Sequence, residues 1–258
     1  FKTAGSLDTT FNSGDIGYGF GDGSSSTIFT TSIQNDGKII IGGAIGSYNN
    51  VVVRSVTRLQ TDGKLDTSFS TGWGVNSFVY GTAIQNDQKI LICGNFNYID
   101  GVTIDKIARL NVNGSLDTTF NIGAGANHVV RCMAIQQDNK IVIGGEFTTF
   151  NGTLINRIAR LNTDGSLDTT FQPGLGANNT VHSLSIQNDE KIIVSGEFLD
   201  YNGVYKRHII RINTDGSLDT TFRNGTATGP SNTVYSTKIL SDGKIIIGGA
   251  FTSYDLIP

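Results

Sequence analysis

The sequence predicts an all-β fold of repeated antiparallel units, and three observations lead there. The first is self-similarity at a single period. Leu-Asp-Thr-[Thr/Ser]-Phe ends at Phe11, Phe69, Phe120, Phe171 and Phe222, in steps of 58, 51, 51 and 51. Ile-Gln-Asn-Asp or a near copy begins at Ile33, Ile84, Ile135 and Ile186, with a diverged copy at Ile239. Arg followed by Leu or Ile falls at Arg58, Arg109, Arg160 and Arg211, and the lysine of Lys-Ile falls at Lys38, Lys89, Lys140, Lys191 and Lys244. The second observation is that each period divides into short alternating or β-branched runs bounded by Asn, Asp and Gly. The third is that no segment keeps an apolar spacing of 3.6 residues. Helix should therefore stay below about 5%, against one third in ordinary domains.

The third unit shows the elements in order. Residues 129–136 alternate, 140–147 (KIVIGGEF) are β-branched, 157–162 (RIARLN) alternate again, and 167–171 are short and Thr-rich. Turn residues separate them at 137–139, 151–152, 163–165 and 173–174. Four strands, A to D, in about 50 residues form one blade of a β-propeller, because a lone sheet of this size cannot bury both faces. Gly42-Gly43, Gly144-Gly145 and Gly248-Gly249 share a slot with Cys93-Gly94 and Ser195-Gly196. No side chain larger than Cys stands there, which implies close approach by a neighbouring backbone.

Five A–B pairs are present, but the last, ending near Phe251, is followed only by residues 252–258. The N-terminus supplies the tail of a C strand at 1–3 and a D strand at 7–11. The expected fold is one domain over residues 1–258, a five-bladed propeller whose last blade is closed by the N-terminal strand. The alternative is part of a six- or seven-bladed propeller. Residue 1 is Phe, which reads as a removed leader or an excerpt of a longer chain.

The unit RLNTDGSLDTTF…IQND-KIIIGGEFT-YNG, as at 160–171 and 186–203, resembles the delta-60 repeat, a β-propeller repeat of bacterial surface and secreted proteins and of bacteriophage virion proteins. The resemblance covers essentially the whole chain. It implies the fold and a surface or virion setting, and it carries no shared catalytic motif.

Net charge is −3, with no basic block to follow a phosphate backbone, so no nucleic-acid partner is expected. No apolar run approaches the length of a membrane-spanning helix, so no membrane insertion is expected either. Residues 162–168 place oxygen groups at alternate positions, as a calcium loop does. Asn113 replaces the aspartate in one copy and no far-end glutamate follows, so the segment reads as a C–D turn. No metal and no other cofactor is expected. Asp66, Asp117, Asp168 and Asp219 should instead pair with Arg58, Arg109, Arg160 and Arg211. Cys93 and Cys132 replace small residues at packing positions, and His128, His182 and His208 are scattered. Glu146 and Glu197 hold equivalent scaffold places. No nucleophile, base and orienting acid come together, so the chain does not read as an enzyme.

The D–A and B–C loops vary between repeats, and in a propeller they share one face. Tyr48, Tyr98, Phe150, Tyr201 and Tyr254 read as a repeated blade-edge aromatic. Trp73, Tyr18, Phe20 and Tyr205 are unrepeated, and with Asn76, Asn127 and Asn178 they form the expected binding residues. The expected function is a non-enzymatic binding module of an exported bacterial surface protein or adhesin. Its partner would be protein or glycan, and its location extracellular or at the cell surface. The alternative is a structural part of a large assembly, such as a bacteriophage tail or a surface secretion complex, contacting neighbouring subunits.

Overall fold

The computed structural model describes residues 6, 8–13, 23–222, 229–255 and 257. Among these residues the regular elements are all strands. The first repeat runs β1 (Ile28–Ile33), β2 (Ile39–Gly43), β3 (Ser47–Tyr48), β4 (Val51–Val52) and β5 (Val56–Leu59). The second runs β6 (Val79–Ile84), β7 (Ile90–Gly94), β8 (Tyr98–Ile99), β9 (Val102–Thr103) and β10 (Ile107–Leu110). The third runs β11 (Val130–Ile135), β12 (Ile141–Gly145), β13 (Thr149–Phe150), β14 (Thr153–Leu154) and β15 (Ile158–Leu161). The fourth runs β16 (Val181–Ile186), β17 (Ile192–Gly196), β18 (Asp200–Tyr201), β19 (Val204–Tyr205) and β20 (Ile209–Ile212), and the fifth contributes β21 (Val234–Ile239) and β22 (Ile245–Gly249).

Each of the first four repeats forms a three-stranded antiparallel sheet from strands A, B and C, with a separate two-stranded hairpin inserted between B and C. The central B strand is almost wholly apolar and is buried in β7, β12 and β17, as a strand covered on both faces must be. In the fifth repeat β22 pairs only with β21 among the described residues, and Ile246 and both glycines are exposed.

The expected fourth strand is corrected. Leu65, Leu116, Leu167 and Leu218 each make a single bridge to the C strand, and the chain then turns away. The aspartate that follows each leucine captures the backbone. Asp66, Asp168 and Asp219 accept the N–H of Ser68, Thr170 and Thr221 at 3.1, 3.0 and 2.9 Å. This local turn takes the donors that a ladder would need. The Thr-rich composition signalled a strand, and the aspartate overrides it.

Of the expected N-terminal closure, residues 1–5 and 7 lie outside the described residues. Asp8 repeats the same turn, accepting the Thr10 N–H and hydroxyl at 3.0 and 2.6 Å. The Asn12 N–H then bonds the Asp62 carbonyl in the C–D turn of the first repeat. Ser70 with Asn113, Asn121 with Asp164 and Gln172 with Asp215 make the same link, so each D segment docks on the turn of the repeat that follows it.

The chain divides into two compact units, Phe1–Ile104 with Ala108–Thr118, and Asp105–Ile107 with Thr119–Pro258. The core of the first is centred on Val79, Ile90, Ile92, Phe96, Ile99 and Leu110. The core of the second is centred on Val142, Ile158, Val181, Val194, Phe198 and Tyr201. Within each unit the A strands of successive repeats pack on one another, β1 on β6 in the first, and β11 on β16 on β21 in the second.

The glycine pair has two different causes. A Cβ at Gly144 would meet side chains, Val181 at 2.6 Å and the Cys132 sulfur at 2.8 Å. That slot therefore admits Cys93 and Ser195. At Gly145 a Cβ would lie 2.2 Å from the Val129 carbonyl oxygen, and the second glycine is the one that a backbone approaches.

Candidate binding surface

The end of each repeat where strand A begins and strand B ends carries the variable residues. There the D–A loop docks on its own B–C hairpin through one bridge per repeat, Ser24 to Tyr48, Val75 to Ile99, Ala126 to Phe150, Ala177 to Tyr201 and Pro230 to Tyr254. The hairpin turn carries Asn49, Asp100, Asn151, Asn202 or Asp255 at φ between 46° and 51°, a left-handed conformation that Asn and Asp tolerate best after glycine. The same side chain reaches across to the D–A loop. Asp100 accepts the Trp73 N–H at 2.9 Å, Asn151 that of Ala124 at 3.0 Å, and Asn202 that of Leu175 at 3.0 Å. The loop tip is thus fixed by backbone bonds while its side chain is unconstrained. Trp73 is displayed there at 79% exposure.

A second variable set lies at the start of strand A. Every A–B pair carries a β-bulge, at Phe29, Tyr80, Arg131, His182 and Tyr235. A bulge leaves one residue out of the ladder and re-aims its side chain. In the first unit Phe29, Phe78 and Tyr80 cluster, with ring centroids 5.1 to 6.2 Å apart, and Phe29 and Phe78 are exposed. In the second unit the bulged Arg131 and His182 are each paired with a carboxylate. Arg131 donates from Nε to Glu146 at 2.6 Å, and His128 Nδ1 lies 3.0 Å from the same carboxylate. His182 Nε2 lies 2.9 Å from Glu197, and the His182 ring meets Tyr235 edge-on at 5.2 Å. Sequence reasoning missed these positions because a bulge has no local signature. The available signal was a slot holding Phe, Tyr, Arg, His and Tyr directly after an invariably β-branched one.

The repeated ion pairs belong to the scaffold, as expected. Arg58, Arg109, Arg160 and Arg211 bond Asp66, Asp117, Asp168 and Asp219 at 2.7 to 2.8 Å, and Lys38, Lys89, Lys140 and Lys191 join the same carboxylates. Arg58, Arg160 and Arg211 each lie 5.0 Å from the ring centre of Phe69, Phe171 or Phe222. Burial alone would raise the Asp66 carboxyl. Hydrogen bonds from Ser68, Lys38 and Arg58 outweigh it and bring the group down to about 2. Asp168 is held low in the same way by Thr170, Lys140 and Arg160, and Asp219 by Lys191 first and then Thr221. In the C–D turn Asp164 Oδ1 accepts the Ser166 N–H and hydroxyl at 3.0 and 2.7 Å, so that oxygen faces its own turn.

Of the expected binding residues, Trp73 and Tyr205 are displayed, Tyr205 at 65% exposure on β19. Tyr18 and Phe20 lie outside the described residues. Asn76, Asn127 and Asn178 are exposed at this end and also serve the scaffold. Asn76 Oδ1 accepts the Asn97 and Tyr98 N–H groups, Asn127 those of Thr148 and Thr149, and Asn178 those of Leu199 and Asp200. These side chains hold the B–C hairpin in place, and Ser25 and Ser231 do the same in the outer repeats. The blade-edge aromatic is corrected at one position. Tyr48, Phe150 and Tyr201 are buried, but Ile99 fills their slot in the second repeat, leaving Tyr98 exposed beside it. Cys93 is buried and Cys132 partly so, both as free thiols, and burial pushes the Cys132 thiol far up.

Among the described residues, no cluster of three or more His, Cys, Asp or Glu is arranged to hold a metal. No helix among them is long and apolar enough to cross a membrane. Repeated three-stranded sheets with docked loops define a β-propeller repeat protein. The chain belongs to the β-propeller family described as a domain of unknown function, DUF5122, which matches residues 34–69, 85–120, 136–171, 187–222 and 240–255. No curated protein matches. Solved structures similar in fold include the WD40 β-propeller domain of Doa1, with 18% identity and a TM-score of 0.58 over 88% of this chain and 62% of that one. The Dos1 propeller shows 14% identity and a TM-score of 0.53 over 86% of this chain and 52% of that one. The extracellular domain of the putative one component system BT4673 from B. thetaiotaomicron shows 15% identity and a TM-score of 0.51. The chain covers 88% of its own length in that last match and 26% of the other. It thus spans less than two thirds of each of these structures.

Proposed function

We propose that the chain is a non-enzymatic binding module, its five repeats serving as five blades, of an exported bacterial surface protein or adhesin. It contacts protein or glycan through the end of the repeats that carries the D–A loops, the B–C hairpins and the strand-A bulges. One observation carries this reading. A fixed frame of backbone and Asn/Asp bonds presents side chains that differ from repeat to repeat, with Trp73 held out to solvent on a tip anchored by Asp100. Large aromatic side chains on rigid backbone lose little entropy on binding and dominate interfaces. The extracellular neighbour in fold supports an exported setting.

The test is flow cytometry of fluorescent protein on cultured bacterial and epithelial cells. Trp73→Ala and Tyr205→Ala should each weaken attachment by about 1–3 kcal/mol while the melting curve stays unchanged. Attachment equal to that of the unmodified chain in both variants would refute this face, and no attachment to either cell type would refute the surface role.

A further inference from the structure

We infer that the bulged positions of the fourth and fifth repeats form a binding site for a neutral sugar, with Tyr235, His182 and Glu197 as its contact residues. The inference rests on the binding-module reading and specifies its ligand.

The bulge slot and the slot that follows the glycine pair vary together. The pairs are Phe29 with Ala44, Tyr80 with Asn95, Arg131 with Glu146, His182 with Glu197, and Tyr235 with Ala250. A carboxylate occurs only where the bulged residue is a cation or an imidazole. Both slots meet at one end of the A–B pair, since the N–H of Glu146 bonds the Val129 carbonyl and that of Glu197 bonds the Thr180 carbonyl. The scaffold requires neither side chain, because Ala stands in the second slot twice.

The two carboxylates differ in what they leave open. Glu146 uses Oε1 for Arg131 and Oε2 for His128. Glu197 uses Oε1 for His182, and among the described residues its Oε2, the Nδ1 of His182 and the Tyr235 hydroxyl make no hydrogen bond. A neutral imidazole donating from Nε2 keeps Nδ1 as an acceptor. The pair thus keeps two acceptors, and its imidazole ring packs edge-on with Tyr235, which is 53% exposed.

That combination matches a pyranose. Its O–H groups donate to Glu197 Oε2 and His182 Nδ1, and its apolar C–H face covers the tyrosine ring. An ammonium group would answer Glu197 but leave Nδ1 and most of the ring unfilled. An anion would face a carboxylate. Strands β16 and β21, which carry His182 and Tyr235, pack side by side, so both contact residues stand on strand backbone rather than on a free loop.

A printed array of neutral and acidic oligosaccharides is the first probe, and the neutral oligosaccharide bound most strongly is then titrated by calorimetry. The unmodified protein should bind neutral spots. Tyr235→Ala and Glu197→Gln should each weaken the chosen oligosaccharide about tenfold or more, while Tyr235→Phe, which keeps the ring, stays within about threefold. Circular-dichroism melts check that the variants fold, and Glu197→Gln changes no volume. An array with no neutral spot bound, binding only to acidic sugars, or equal binding by Tyr235→Ala and Glu197→Gln overturns the sugar site. Cell attachment that survives Tyr235→Ala but falls in Trp73→Ala discards the sugar site and keeps the binding module.

Discussion

Replacing Asp168 with alanine tests whether the repeated ion pair holds each repeat together. The carboxylate takes four hydrogen bonds, from Arg160 at 2.7 Å, Lys140 at 2.9 Å, and the Thr170 N–H and hydroxyl at 3.0 and 2.7 Å. Lys140 is 30% exposed and turns to water once its acceptor is gone. Arg160 is 9% exposed and lies against Phe171, so its charge stays where it is without its bonded counterion. Breaking a buried pair from one side costs about 3–5 kcal/mol. At roughly 2–4 °C per kcal/mol for a chain of this size, the melting midpoint should fall by roughly 6–20 °C. Urea unfolding followed by circular dichroism measures the free energy, and a thermal scan the midpoint. Adding Arg160→Met removes the stranded charge and should restore at least about half of the loss. A loss below about 1 kcal/mol for Asp168→Ala, with no recovery in the double variant, is the behaviour of a solvated pair and would refute the reasoning.

Acid should unfold the chain through the same carboxyls. Their folded values are depressed, so their contribution is complete above the unfolded value near 4 and is lost as pH falls through the folded value, about 2 for Asp66. After allowance for solvent screening each contributes about 1 kcal/mol, and a urea midpoint flat above about pH 5 but falling steeply from pH 4 to pH 2 is expected. Gly145→Ala places a Cβ against the Val129 carbonyl and should cost at least about 2 kcal/mol in urea unfolding, whereas Gly152→Ala, with open space around it, should cost about 1 kcal/mol for its positive φ alone. Cys132, its thiol pushed up by burial, should react with Ellman's reagent only when urea unfolds the chain; rapid labelling of the native protein would show an open site.

The periodic features were legible because they recur. Arg160 and Asp168 lie eight residues apart in every repeat, and a charge that returns with the scaffold must be answered within it. The strand pattern was legible for A, B and C, where β-branched residues alternate with turns. The D strand was misread because Leu-Asp-Thr-Thr-Phe has strand composition while its aspartate makes a local turn. The scaffold bonds of Asn76, Asn127 and Asn178 were not legible because their partners lie about 21 residues away, beyond the reach of any local pattern. The bulges at Arg131 and His182 were invisible for a related reason. They depend on register between two strands, and no single strand shows it.

One bond in the scaffold bears on how such a chain arises. Arg58 donates to the Val112 carbonyl and Arg160 to that of Thr214, each an acceptor in the turn of the next repeat. The side chain is supplied by one copy and its last partner by the copy downstream. A tandem duplication of any 51 consecutive codons therefore delivers a matched donor and acceptor at the one new junction, wherever the cut falls. A loss of part of a repeat that takes the arginine or the turn acceptor leaves one of them without its partner at that seam. Chains of this kind should accordingly vary in nature by whole repeats, while the displayed loop tips and bulges drift freely within each copy.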